Sequence, residues 1–170
     1  FYTGDIGEFD DDGYLKITDR KKNILVTSAG KNIAPAPMEN VMVASPYIEQ
    51  VVVIGDNRNF ISALIVPAFD SIESYLAEHD KELTSPAAIV EHSDVIALIG
   101  REVNKAMESF SKYERVKKFT LLPRLLTLEK GELTPTLKVV RRIVLSNFDE
   151  YVEGMYSDVN NKNKEELIDG

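Results

Sequence analysis

The sequence predicts an α+β fold, a small antiparallel sheet of about three main strands plus a hairpin, flanked by helices. Three observations predict it. The β-branched runs EQVVVIGD and FISALIVPAF are separated by Gly55-Asp56-Asn57-Arg58-Asn59, a strand–turn–strand pattern. Stretches with apolar residues at helical spacing follow that pair, at 72–110 and 137–155. Strands and helices do not alternate in a βαβ rhythm, so a purely parallel sheet is not expected.

The elements follow in order. Residues 5–18 read as a hairpin, with Ile6, Phe9, Tyr14, Leu15 and Ile17 flanking Asp10-Asp11-Asp12-Gly13, whose glycine can take the positive φ of a tight turn. The polar stretch DRKKN is an exposed connector, and ILVTSAGKNIAP is a second hairpin turning at Ser28-Ala29-Gly30. A short helix runs from Pro35 to about Ala44, where Ser45-Pro46 stops it. After the two β-branched strands, Ser71 is expected to cap a helix through Glu78. Ser85-Pro86 opens a further helical stretch to about Lys112, with Gly100 as the expected break. VKKFTLLP is a strand, LTLEKGELTP a loop, and Leu137 to Met155 a last amphipathic helix. Residues 158–170 are a polar tail with a frayed end. Tyr47, Tyr113 and the apolar helix positions, Ile96 among them, are expected in the core.

Composition narrows the function classes. The 170 residues are enough for one compact domain, and 44% hydrophobic with 28% charged is ordinary for a globular chain. The absence of cysteine excludes disulfides, thiolate metal sites and thiol nucleophiles, and two histidines leave little for a histidine metal centre. A net charge of -8 repels nucleic acid, so no nucleic-acid partner is expected. Local basic clusters survive at Arg20-Lys21-Lys22 and from Lys138 to Arg142, and suit a compact phosphate ligand. No apolar run reaches the ~18 residues of a membrane span. The opening Phe1-Tyr2-Thr3-Gly4-Asp5 reads as the interior of a longer chain.

Four segments in one order carry more: YTGDIGEFDDDGYLKITDRKKN, TSAGKNIAP, SPYIEQVVVIGD and GELTPTLKVVRR. Together they resemble the C-terminal third of the acyl-adenylating, AMP-binding enzymes. That superfamily includes acyl-CoA synthetases, firefly luciferase and peptide-synthetase adenylation domains. LTPTLKVVRR and the ending FDEYVEGMYS look like the long-chain fatty acid–CoA ligase branch. The resemblance implies the fold of that family's mobile C-terminal lid. It implies two half-reactions: ATP activates a carboxylate to an acyl-adenylate, and CoA then takes the acyl group as a thioester.

The resemblance also assigns residues. Asp5 falls at the aspartate that accepts hydrogen bonds from the ribose hydroxyls of ATP, a task for an acceptor-only carboxylate. Arg20 falls at the arginine near the ribose and phosphate of the adenylate, where a fixed fork of charged donors is useful. Lys22 matches the hinge about which the lid swings between half-reactions. Lys138 matches the lysine that reaches the site during adenylation, its ammonium offsetting the charge that develops as pyrophosphate leaves. Many family members have glycine before this lysine, where this chain has Leu137. Gly30 matches the loop lining the pantetheine tunnel, with Lys31 and Asn32 beside it as CoA contacts. Arg141 and Arg142 could meet CoA phosphates or simply flank a helix. Both readings stay open.

By the same resemblance, residues 1–21 end an N-terminal AMP-binding domain, 22–157 are the lid, and the N-terminal domain is the lid's partner. Expected substrates are a long-chain fatty acid, ATP (with AMP formed) and CoA; Mg2+ accompanies ATP in the complete enzyme, with no ligand for it in this segment. The expected location is cytoplasmic, with a peripheral place at the inner face of the membrane. Two other readings compete: an adenylating enzyme that loads an acyl carrier protein, and a non-catalytic lid-like binding module.

Overall fold

The structure is a computed structural model that describes residues 5–9, 13–20, 24–79, 81, 83 and 85–165, with side chains described outside 5–9, 15–20 and 158–165. Near the start, β1 (Asp5–Phe9) and β2 (Leu15–Arg20) pair antiparallel, with Gly13 at φ +83° in the connecting turn. A second small hairpin joins β3 (Leu25–Val26) to β4 (Asn32–Ile33). It leads into α1 (Pro35–Met42), whose proline at the first turn has no helical N–H to lose.

The centre is a three-stranded sheet in the order β5 (Ile48–Ile54), β6 (Ser62–Pro67), β7 (Lys118–Leu121). β5 and β6 are antiparallel, as their tight connection demands. β7 instead runs parallel to β6, pairing Ser62 with Lys118 and Ile65 with Leu121, so the sheet is mixed. The reason is the long helical crossover between the two strands, which returns the chain to the end where β6 began. It contains α2 (Phe69–Glu78), α3 (Pro86–Glu91) and α4 (Ser93–Ala106).

Side-chain alternation divides the sheet between two cores. Val51, Val53, Ala63 and Ile65 face a cluster with Met38, Met42, Ile72, Leu76, Ile89 and Val95 from α1 to α4. Val52, Ile54, Leu64 and Val66 face the other way, onto α5 (Arg141–Asn147) and α6 (Asp149–Glu165), through Val144, Phe148, Val152, Met155 and Tyr156. A sheet covered on both faces explains why its strands read as unbroken apolar runs.

Several sequence expectations shift. α2 starts at Phe69 after Ala68, with no side-chain cap, so Ser71 lies inside the helix. The helical stretch breaks at His92, whose ring nitrogen accepts the Asp94 N–H at 3.2 Å, while Gly100 lies inside α4. A β-carbon on Gly100 would sit 3.7 Å from the Phe119 ring, an ordinary contact distance, so the helix packs beside that ring without requiring a glycine there. The last helix begins at Arg141, divides at Phe148 and continues to Glu165, beyond Met155. Tyr113 is 54% exposed and Ile96 42% exposed, so neither belongs to the core. Tyr47 is half-buried, edge-on to Tyr75.

Candidate functional site

Lys138 sits on a hairpin built by its own neighbours. Leu133 and Val139 form an antiparallel bridge, and Val140 N–H donates to the Glu132 carbonyl at 2.8 Å. Between them the chain turns: Leu137 N–H donates to the Thr134 carbonyl at 2.8 Å, with Pro135 and Thr136 in the middle. A type I turn of that kind favours proline at its second position. It is followed by one left-handed residue, Leu137 at φ +59°. The Thr134 hydroxyl then accepts the Lys138 N–H at 3.1 Å, and Thr134 N–H donates to the Lys138 carbonyl at 2.8 Å. The backbone of Lys138 is thus held while its side chain is exposed, and among the described residues its ammonium has no partner.

The base of this hairpin is a buried ion pair. Glu132 is fully buried, and Arg124 donates to both of its oxygens, at 2.6 and 2.8 Å. Asn147 and the Thr127 N–H supply the remaining donors at 2.9 and 3.0 Å. Burial pushes this carboxyl up, but the Arg124, Asn147 and Thr127 donors outweigh it and hold the pKa at about 2. The guanidinium of Arg124 also lies 4.6 Å over the Phe148 ring, tying hairpin to helix.

Beside Lys138 opens a cleft of about 450 Å³ lined by Pro35, Ala36, Glu39, Asn40, Leu137 and Arg141, among others. Arg141 does not reach out into it as a free cation. Its guanidinium pairs with Glu39 and donates to the Val53 carbonyl at 3.0 Å, while Glu39 accepts the Val53 N–H at 2.8 Å. Of the two readings left open, Arg141 therefore takes the structural one; Arg142 is exposed at the start of α5.

Gly30 occupies a separate hairpin. Its φ is +72°, its N–H donates to the Thr27 carbonyl at 2.8 Å, and no heavy atom lies within 4 Å of where a β-carbon would stand. The loop is latched to the β5–β6 turn: Ser28 N–H donates to the Arg58 carbonyl at 3.0 Å and the Ser28 hydroxyl to Asn59 at 2.8 Å. Lys31 and Asn32 are exposed, with the Lys31 ammonium 5.6 Å from the centre of the Tyr113 ring. Gly30 and Lys138 thus present exposed positions on different hairpins with different neighbours. Asp5 and Arg20 are backbone partners across β1 and β2, which brings them to one end of that hairpin. Their side chains and all of Lys22 lie outside what is described.

No group of three or more His, Cys, Asp or Glu among the described residues could hold a metal ion. Among the same residues, no helix is long and apolar enough to cross a membrane.

Residues 22–160 match the family model for the AMP-binding enzyme C-terminal domain. The chain belongs to that family. Its curated relatives include the long-chain-fatty-acid–CoA ligase FadD15 of Mycobacterium tuberculosis, 42% identical over 92% of this chain and 26% of that protein. The human long-chain-fatty-acid–CoA ligase 1 is 34% identical over 93% of this chain and 23% of its own length. The chain spans about a quarter of the length of these curated relatives. Among solved structures, the adenylation domain of a carboxylate reductase from Mycobacterium chelonae aligns at a TM-score of 0.73 and 25% identity, over 91% of this chain and 23% of that one.

Sequence reasoning did not find Glu132. Its partners lie eight and fifteen residues away, at Arg124 and Asn147, and no periodicity marks them. Leu137 did carry a signal: a bulky residue where the family often has glycine, now seen in a glycine-like conformation.

Proposed function

We propose that this chain is the mobile lid of an ATP-dependent long-chain fatty acid–CoA ligase. In that reading Lys138 serves adenylation, placing its ammonium between the fatty acid carboxylate and the α-phosphate. The Gly30 loop, with Lys31 and Asn32, meets the pantetheine of CoA once the lid has turned about Lys22. Asp5 and Arg20 hold the ribose and phosphate of the nucleotide. The observation that carries the reading is the exposed Lys138 ammonium, without a partner among the described residues, on a hairpin whose backbone is held by hydrogen bonds. A cation kept free on a rigid support can act on a charge that develops elsewhere, without reorganising first.

The reading has a direct test. The isolated chain, given ATP, palmitate and CoA, should form no acyl-CoA. In the complete ligase carrying this sequence, Lys138→Ala should lower ATP–pyrophosphate exchange on the order of 100- to 1000-fold. Thioester formation from supplied palmitoyl-adenylate should survive. Equal loss of both half-reactions would reject the role given to Lys138.

A second reading has one observation in its favour, the likeness to the carboxylate reductase adenylation domain. There the acyl group would pass to a carrier-borne pantetheine instead of free CoA. It ranks below the first because the long-chain ligases are more similar in sequence. Offering the complete enzyme each acceptor in turn separates the two.

A further inference from the structure

We infer that Glu132 is a positioning residue for Lys138: its buried carboxylate clamps the base of the hairpin and so holds Leu137 in the left-handed turn that sets the direction of the lysine. The inference rests on the adenylation role proposed for Lys138 and adds a residue and a mechanism to it.

Two independent observations meet in this hairpin. The first is strain at its tip. Leu137 has φ +59°, a left-handed conformation unfavourable for a residue that bears a side chain. Its side chain is 69% exposed, so packing within the chain does little to offset that cost. A strained residue persists only where its surroundings over-determine the backbone. The second observation is what over-determines it. Both oxygens of Glu132 are saturated by four donors, from Arg124, Thr127 and Asn147. The backbone of the same residue receives the Val140 N–H at 2.8 Å and donates to the Thr127 carbonyl at 3.0 Å. Glu132 and Val140 therefore close the hairpin from below, and the turn from Thr134 to Lys138 has to fit in the remaining length. Arg124, stacked on Phe148, fixes the clamp to the helical layer. Glu132 touches no substrate in this scheme, and its effect is carried wholly by the backbone that bears Lys138.

The complete ligase carrying Glu132→Gln tests the inference, because glutamine keeps the shape but loses the charge and one acceptor. ATP–pyrophosphate exchange should fall ~10- to 100-fold, as expected for a misplaced catalytic group. Thioester formation from supplied palmitoyl-adenylate should stay within about twofold, a split that general destabilisation would not produce. Adding Glu132→Gln to Lys138→Ala should cause little further loss, since the two act as one unit. Leu137→Gly should restore part of the exchange activity of Glu132→Gln, because glycine adopts the left-handed turn without a clamp. Should Glu132→Gln fail to fold, Asn147→Ala removes one donor, keeps the ion pair, and should give the same split in smaller measure. Equal loss in both half-reactions, or full additivity with Lys138→Ala, would overturn the inference. A Lys138→Ala enzyme with unaltered exchange would instead remove the reading beneath it.

Discussion

Glu132 lies in a dry place and is still ionised at neutral pH, and that makes the stability of the chain acid-sensitive. Its pKa is about 2 in the fold against 4.5 as a free side chain. A carboxyl depressed on folding contributes in full above its unfolded pKa, and the contribution disappears as pH falls towards the folded value. The difference is on the order of 3 kcal/mol, set by the Arg124, Asn147 and Thr127 donors against the opposing cost of burial. Thermal melts of the chain between pH 7 and pH 3 should therefore show a falling midpoint. Glu132→Gln should start lower, since it leaves Arg124 without its carboxylate, and should fall less steeply with pH. Parallel pH profiles for the two proteins would refute the assignment. Leu137 gives a second prediction at this scale. Leu137→Gly removes a left-handed strain of about 1–2 kcal/mol and returns ~0.5–1 kcal/mol as lost backbone entropy. With the side chain mostly in solvent, the net change should be neutral to slightly stabilising by chemical denaturation. A loss above about 1 kcal/mol would mean that the covered part of Leu137 contributes more packing than its exposure allows.

Among elements, the strands were the most legible from sequence and the helix boundaries the least. Val51 to Ile54 and Ser62 to Val66 are buried from both sides, so they read as apolar runs whatever covers them. The direction of β7 was hidden, because it depends on which end of β6 the α2–α4 crossover reaches, and no residue in VKKFTLLP records that. Gly100 misled for a related reason: a glycine that breaks a helix and one carried inside it look alike in sequence. Helix α6 illustrates long-range dependence most directly. Tyr156 shares a buried hydrogen bond of 2.7 Å with Ser62 of β6 and lies 3.1 Å from the Phe60 carbonyl, while Arg58 lies 4.7 Å over its ring and pairs with Glu153. Tyr156→Phe keeps the ring and leaves the Ser62 hydroxyl buried without a partner. The expected cost is about 1–3 kcal/mol, read from urea unfolding. Ser62→Ala combined with it should recover part of that loss, since the serine hydroxyl is then no longer buried without its Tyr156 partner, while the Phe60 carbonyl still lacks the Tyr156 donor. A double variant no better than Tyr156→Phe would show that the hydrogen bond is incidental to the docking of α6.

For the whole molecule, the four sequence segments announced the family, but the supports that hold them had to come from the fold. Gly30 and Lys138 lie 108 positions apart in the sequence numbering. They stand on hairpins latched to different supports, the Arg58–Asn59 turn in one case and the Glu132 clamp in the other. Independent supports are what the proposed lid needs if it is to show two tools in succession to one adenylate. Gly30→Leu probes the tool that Lys138→Ala leaves alone. Within this chain a β-carbon at Gly30 meets nothing within 4 Å, so any folding cost comes from φ +72° alone, about 1–2 kcal/mol. Asparagine tolerates that conformation better and is smaller, so Gly30→Asn serves as the control for backbone strain. In the complete ligase, Gly30→Leu should lower thioester formation from palmitoyl-adenylate on the order of 100-fold, the cost of excluding a ligand from its aligned position. ATP–pyrophosphate exchange should be retained, and Gly30→Asn should lose less. If Gly30→Leu instead suppressed exchange as strongly as Lys138→Ala does, the two hairpins would be serving a single step, and a lid that turns between steps would have no place in the mechanism.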